Sequence, residues 1–218
     1  MPKEVPVTPI TIRTADQEVY RLLRTWITTG ELVPGQKLSI RKLAEMCGVS
    51  AMPVRGALRQ LQAEGLVEAE RRAFQVTRLE AEEIHAVFEI RFRLEALASE
   101  WAMSTAREGD IAEIEDILQA MQAGDLQPSE WRELNQDFHR RFYDCCGSSQ
   151  LLEMLQSIWD RVSPYLAIYA SNVETYEEAD RQHAVLMDHI RSRDLDGLLI
   201  SLRSHLEYTR DIVLTALR

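Results

Sequence analysis

Cysteine is scarce in this chain. There are three in 218 residues, two of them adjacent (Cys145 and Cys146), and none sits in a C-x-x-C pair. That pattern offers no thiolate zinc pair and suggests a reducing compartment. Long apolar runs are also missing: none approaches the ~18 residues of a membrane span, so no membrane partner is expected. The stretch MPKEVPVTPITIRT lacks the apolar centre of a signal peptide and carries three prolines. Residues 1–13 therefore read as a flexible arm, and the protein as cytoplasmic. The chain has no H-E-x-x-H motif and no nucleophile with a placed base, which speaks against an enzyme. Internal repeats and low-complexity tracts are absent too.

What is present is an ordinary globular composition, 45% apolar and 28% charged, in a length that suits one large domain or two modest ones. The formal net charge of −10 argues against nucleic acid until its distribution is read. Residues 1–78 carry 12 Lys and Arg against 8 Asp and Glu, and residues 79–218 carry 13 against 27. A basic first third on an acidic remainder predicts two domains, 14–78 and 79–218, with the basic one facing phosphates.

The most informative stretch is SIRKLAEMCGVSAMPVRGALRQLQAEG, residues 39–65. Ser39 is placed to cap a helix in which Ile40, Leu43, Ala44 and Cys47 share one face, and Gly48 supplies a left-handed stop. Ser50 is placed to cap a second helix, 51–64, with Pro53 in its first turn and Val54, Ala57, Leu58 and Leu61 as its buried stripe. Arg55 and Arg59, at i and i+4, share the opposite face. Two short helices joined by a tight glycine turn make a helix-turn-helix, whose second helix enters the DNA major groove. Upstream, Thr14 and Gln17 form a capping-box pattern for a helix with Val19, Leu22, Leu23, Trp26 and Ile27 on one face. ELVPGQKL reads as a turn. Downstream, LVEAE and FQVTRL read as a two-stranded wing with Arg71, Arg72 and Ala73 at its tip.

From residue 79 the pattern is helical throughout. A long helix, Glu80 to Ala106, puts Ile84, Val87, Phe88, Leu94, Ala98 and Trp101 on one face, and Gly109 reads as the break after it. Further helices are expected at about 110–123, 129–146, 149–171, 174–193 and 195 to the end. The fold class predicted is mainly α: a winged helix-turn-helix followed by a six-helix antiparallel bundle.

The bundle carries the second constellation. Asn135 and His139 share one helix face, flanked by Phe138 and Phe142. His183 lies on a stripe with Ala179, Leu186 and Ile190, and His205 on one with Leu198, Leu202 and Val213. One core histidine is ordinarily a hydrogen-bonded structural residue. Three on different helices of one bundle suit a divalent metal if they converge, and spacing alone leaves convergence open. Arg91 and Glu95 also face inward, either as a buried ion pair that sets helix register or as part of a binding pocket.

The segments GEL-PG-L, LAEMCGVS, PVRGALRQL and EGLVE, in this order and spacing, resemble the winged-helix domain of GntR-family bacterial transcription regulators. EIRFRLEALASEWA, LNQDFHRRFYDCCGSSQLLEML and QHAVLMDHIRSRDLDG resemble the effector-binding FCD domain of the FadR subfamily, in the shorter VanR-like form. Together the resemblances span about residues 14–217. They imply DNA contacts from Arg41, Ser50, Ala51, Met52, Arg55, Arg59 and the wing residue Arg72. They also imply a divalent ion, zinc first with nickel, iron or manganese as alternatives, held by Asn135, His139, His183 and His205. Arg91, with Glu95 beside it, would meet an effector carboxylate. The chain departs from the family pattern at Ala51, Met52 and Ala73, where Arg, Thr and Gly are usual, and at Asn135, where Asp is commoner.

The resulting expectation is a homodimeric repressor that binds a palindromic double-stranded operator and responds to a small organic acid at a metal site. A metal-dependent enzyme and an acidic scaffold protein are the alternatives.

Overall fold

The computed structural model describes residues 14–70, 73–124, 126–172 and 176–217. The first helix, α1 (Ala15–Thr28), opens on the expected capping box: the Gln17 amide donates to the Thr14 hydroxyl at 3.3 Å, and the Thr14 amide donates to the Gln17 side chain at 3.1 Å. Val19, Leu23 and Ile27 bury its inner face, while Leu22 lies at its edge, 38% exposed. Helices α2 (Ile40–Cys47) and α3 (Ala51–Ala63) form the helix-turn-helix, with Ser39 capping α2 and Gly48 at φ +66 closing it. Ser50 heads α3, but its hydroxyl makes no capping bond. Pro53 in the first turn has no N–H to offer, so the helix start needs fewer partners than the serine suggested.

Three strands complete the wing: β1 (Lys37–Leu38), β2 (Val67–Glu70) and β3 (Ala73–Val76), in the order β1-β3-β2 with both pairs antiparallel. The stretch read as a turn thus ends in a short strand. Leu38, facing Phe74 across the ladder, is buried in the core and pins the register. Two residues are too short a run for alternation to announce a strand.

Among the described residues six helices follow: α4 (Ala81–Thr105), α5 (Glu108–Met121), α6 (Pro128–Asp144), α7 (Ser149–Asn172), α8 (Glu177–Ser192) and α9 (Leu195–Ala216). Gly109 does not break the chain before α5. It lies inside that helix's first turn, and the break falls at Ala106, which leaves the helix at φ −58 and ψ 134. Arg107 and Asp110 then cap α5.

On α4 the sequence mixed two faces. The buried face is Ile84, Val87, Phe88, Arg91, Glu95, Ala98 and Ala102, whereas Trp101 is 40% exposed and Leu94 only partly covered. An interior that accepts a charged pair on its stripe pushes some apolar residues onto another face.

The buried apolar residues form two clusters, one from Val19 to Val76 and one from Leu79 to Val213. Helix α1 lies against α7, where an added side chain at Gly30 would sit 2.8 Å from the Ala167 Cβ. Arg24 of α1 pairs with Asp160 of α7, and Arg132 of α6 donates to the Thr29 carbonyl at 3.0 Å. No helix among the described residues is long and apolar enough to cross a membrane.

Candidate metal centre and nucleic-acid interface

Helix α6 carries Asn135 and His139 on one face, because residues four apart stack along a helix. His183 projects from α8 and His205 from α9, and all three imidazoles are buried. One ring nitrogen from each lies within 4.8 Å of the others, and the Nε2 atoms of His139 and His183 are 3.2 Å apart. Two nitrogens bound to one zinc ion at about 2.0–2.1 Å would be separated by roughly 2.9–3.4 Å over square to tetrahedral angles.

The outer nitrogens are already committed. His183 Nδ1 is 2.7 Å from the Ala179 carbonyl, and His205 Nδ1 is 2.9 Å from the Gln182 side-chain oxygen. Both acceptors hold the proton on Nδ1, which leaves each Nε2 lone pair free to ligate. Burial holds all three histidines below the ordinary imidazole range, His183 at about 4, so they are neutral and able to ligate at pH 7. Asn135 lines the adjoining cavities together with His205 and His139. The donor set therefore fits a divalent ion: neutral imidazoles with an amide oxygen beside them, walled by the edge of Phe138. Of the two other histidines, His85 is exposed and His189 pairs with Asp194.

Arg91 and Glu95 form a buried ion pair, Nε to Oε1 at 2.5 Å. Glu95 also accepts from the Trp159 indole at 2.8 Å and from the Tyr143 hydroxyl at 2.7 Å. Three donors hold its carboxylate, which does not line the cavity, so it anchors the arginine rather than meeting a ligand. Burial and the Glu95 charge push the Tyr143 hydroxyl well above its ordinary pKa, which keeps it a donor. Arg91 lines a cavity of about 20 Å³ with Asn135, His205, Trp131 and Arg132.

Sequence reasoning missed Tyr143, Trp159 and Arg132. The signal for Arg132 was available: it precedes Asn135 by three positions and His139 by seven, on the same face of α6.

The other surface is on the winged helix. Ser50, Ala51, Arg55 and Arg59 are exposed on α3 and its leading end, and Met52 is 73% exposed. Neither Arg55 nor Arg59 makes a salt bridge among the described residues. Arg41 is exposed on α2 and pairs with Glu45 at 3.0 Å. The expected wing contact Arg72 lies outside the described residues. The arrangement offers two unpaired guanidiniums on one helix face, a helix N-terminus and an exposed thioether, a set that suits phosphate, guanine edges and a thymine methyl.

Comparison with known proteins finds a family match in both parts of the chain. Residues 15–73 match the model of bacterial regulatory proteins of the gntR family, and residues 86–208 match the FCD domain. The chain is 30% identical to the HTH-type transcriptional repressor GlaR of Escherichia coli, over 86% of this chain and 90% of that protein. It is 29% identical to the E. coli regulator McbR over 83% and 84% of the two chains. The solved structure of E. coli McbR/YncC superposes over 95% of this chain and all of its own, with a TM-score of 0.80 at 24% identity. The metal-free FCD domain of TM0439 matches 64% of this chain with a TM-score of 0.52 at 20% identity.

Proposed function

Since the chain belongs to the GntR family of bacterial helix-turn-helix transcriptional regulators, in its FCD-bearing branch, we propose that it is a homodimeric repressor whose grip on a palindromic operator is set by an organic acid bound at a divalent metal site. The observation that carries this reading is the buried triad of His139, His183 and His205 in a chain that also presents a basic recognition helix.

The ion, zinc in this reading, would be held by the three imidazoles and the Asn135 oxygen, and it would supply open coordination positions for a carboxylate or hydroxyl group. Arg91, tethered by Glu95, presents its remaining guanidinium donors to the same cavity, where a bidentate carboxylate pairs well. The cavity of about 20 Å³ has room for little more than a water, so an acid must widen it on entry. Binding that distinguishes two placements of the winged helices couples acid to operator, typically by about 1–3 kcal/mol.

Two further observations support the assembly and the task. On α4 the residues Ile90, Leu94, Leu97 and Trp101 recur at helical spacing on the outer face, with Ile90 48% and Trp101 40% exposed, a surface suited to a second copy. Glu95, the obvious carboxylate for hydrolytic chemistry, is occupied by three donors, which favours a binding role over catalysis. The free thiols fit a reducing cytoplasm.

Selection of duplexes from a random pool tests the reading: a palindrome bound by two chains is expected. A pool that shows no enrichment, or a sequence bound by one chain, would contradict it.

A further inference from the structure

Among the described residues, two polar ties hold α1 to the bundle. One is the pair Arg24–Asp160, complete in itself. The other is different in kind. Arg132 is 7% exposed and donates to the carbonyl of Thr29, the residue that closes α1. The same side chain lines the cavity above the histidines, beside Arg91, Asn135 and His205, and also the crevice against α1 with Arg24, Thr28 and Thr29. Two guanidiniums thus border one small cavity. The carboxylate of Glu95 is committed to Arg91, and Arg132 makes no salt bridge among the described residues. Its neighbour Glu133 is exposed and reaches it only through charge at a distance. A buried cation whose bond goes to a neutral carbonyl lacks an anion, and burying it unpaired is costly.

We infer that Arg132 is a second acid-binding residue of the bundle cavity, taking a carboxylate of a di- or tricarboxylic or hydroxy acid, and that taking it draws Arg132 off Thr29 and loosens the end of α1. This rests on the acid-binding reading of the cavity given above.

A charge-assisted fork to a carboxylate is stronger than the single bond to a carbonyl, so the competition favours the acid. Helix α1 in turn packs on α3, and Asp16 of α1 lies close against Gly56 of the recognition helix. Release at Thr29 therefore reaches the DNA-reading helix through one packed neighbour. The Arg24–Asp160 pair contacts neither the cavity nor the histidines and stays closed.

The test uses the full chain loaded with zinc, titrated calorimetrically with citrate, malate, succinate and lactate, for the wild type, Arg132→Gln and Arg132→Lys. Hydrogen exchange is followed at amides 26–32. The tightest acid should bind Arg132→Gln about tenfold or more weakly, the scale of one lost charged hydrogen bond, and Arg132→Lys in between, with zinc content equal in all three. Acid should speed exchange at amides 26–32 in the wild type and leave it unchanged in Arg132→Gln, where it is fast from the start. Equal acid affinity in wild type and Arg132→Gln would overturn the inference, as would an α1 whose exchange ignores bound acid or a wild type that binds none of the four. A wild type that takes no zinc would instead bring down the reading of the histidines. The same titrations on metal-free chains then still judge Arg132.

Discussion

The two cores of this molecule are built on opposite rules. The cluster from Val19 to Val76 buries only apolar side chains, whereas every buried polar or charged residue among the described ones lies beyond residue 79: Arg91, Glu95, Ser99, Arg132, His139, Ser163, His183, His205 and Thr209. The winged helix keeps its charged groups outside, among them Arg55 and Arg59 on α3, and its interior only has to be stable. The bundle carries its chemistry inside, where each polar group needs a partner or a ligand. The proposed function calls for this division, with a polyanion met at the surface and a small ligand enclosed in the interior.

That contrast can be broken most forcefully by removing Glu95. Glu95→Ala strands a buried guanidinium along with the Tyr143 and Trp159 donors, and should cost about 3–5 kcal/mol in denaturant unfolding of the bundle. Leu58→Ala is its counterpart in the winged helix, a cavity in an apolar core at about 2–5 kcal/mol. If Glu95→Ala costs under about 1 kcal/mol, the polar interior is not what holds the bundle together.

Next comes pH. In metal-free protein the buried histidines stay neutral to well below the ordinary imidazole value, His183 to about 4, while the unfolded chain takes up protons near 6.5. Stability is therefore full above pH 6.5 and falls as pH drops below it, in the case of His183 down to about pH 4. The winged helix should respond on the other side. Tyr20, which donates to Glu64 at 2.9 Å, is raised from 10.0 to about 12 by burial and by that carboxylate. Its contribution is complete below pH 10 and lost as pH rises toward 12. Acid unfolding that begins in the winged helix, followed by residue-resolved exchange, would reverse the comparison.

The smallest effect is the most local. Arg55→Ala should weaken operator binding by about 1–3 kcal/mol and relax one base position, with metal content unchanged. Unchanged sequence preference would mean that Arg55 only positions the backbone.

Most of the helices could be read from the sequence because their periodicity is strong and their caps are explicit, as at Thr14, Ser39 and Gly48. What escaped was short or shared between faces. β1 has two residues and no period. Trp101 was assigned inward because α4 carries apolar residues on two stripes, one of them beside a charged pair. Ser50 has the right identity for a cap and does not bond as one. For the site, helical spacing put each histidine on an inner face, but their meeting depends on how α6, α8 and α9 pack, which spacing does not contain. Arg132 was missed although it shares the face of Asn135 and His139, because an arginine there reads as solvated until a neighbouring helix end covers it.

The central claim is that the polar interior is a metal site. Metal analysis of gently purified wild-type and His183→Ala protein tests it most directly. The account predicts about one divalent ion per chain in the wild type, with most of it lost in the variant while the fold persists. No metal in the wild type even after reloading, or equal metal in both, would contradict it and return the three histidines to a structural role.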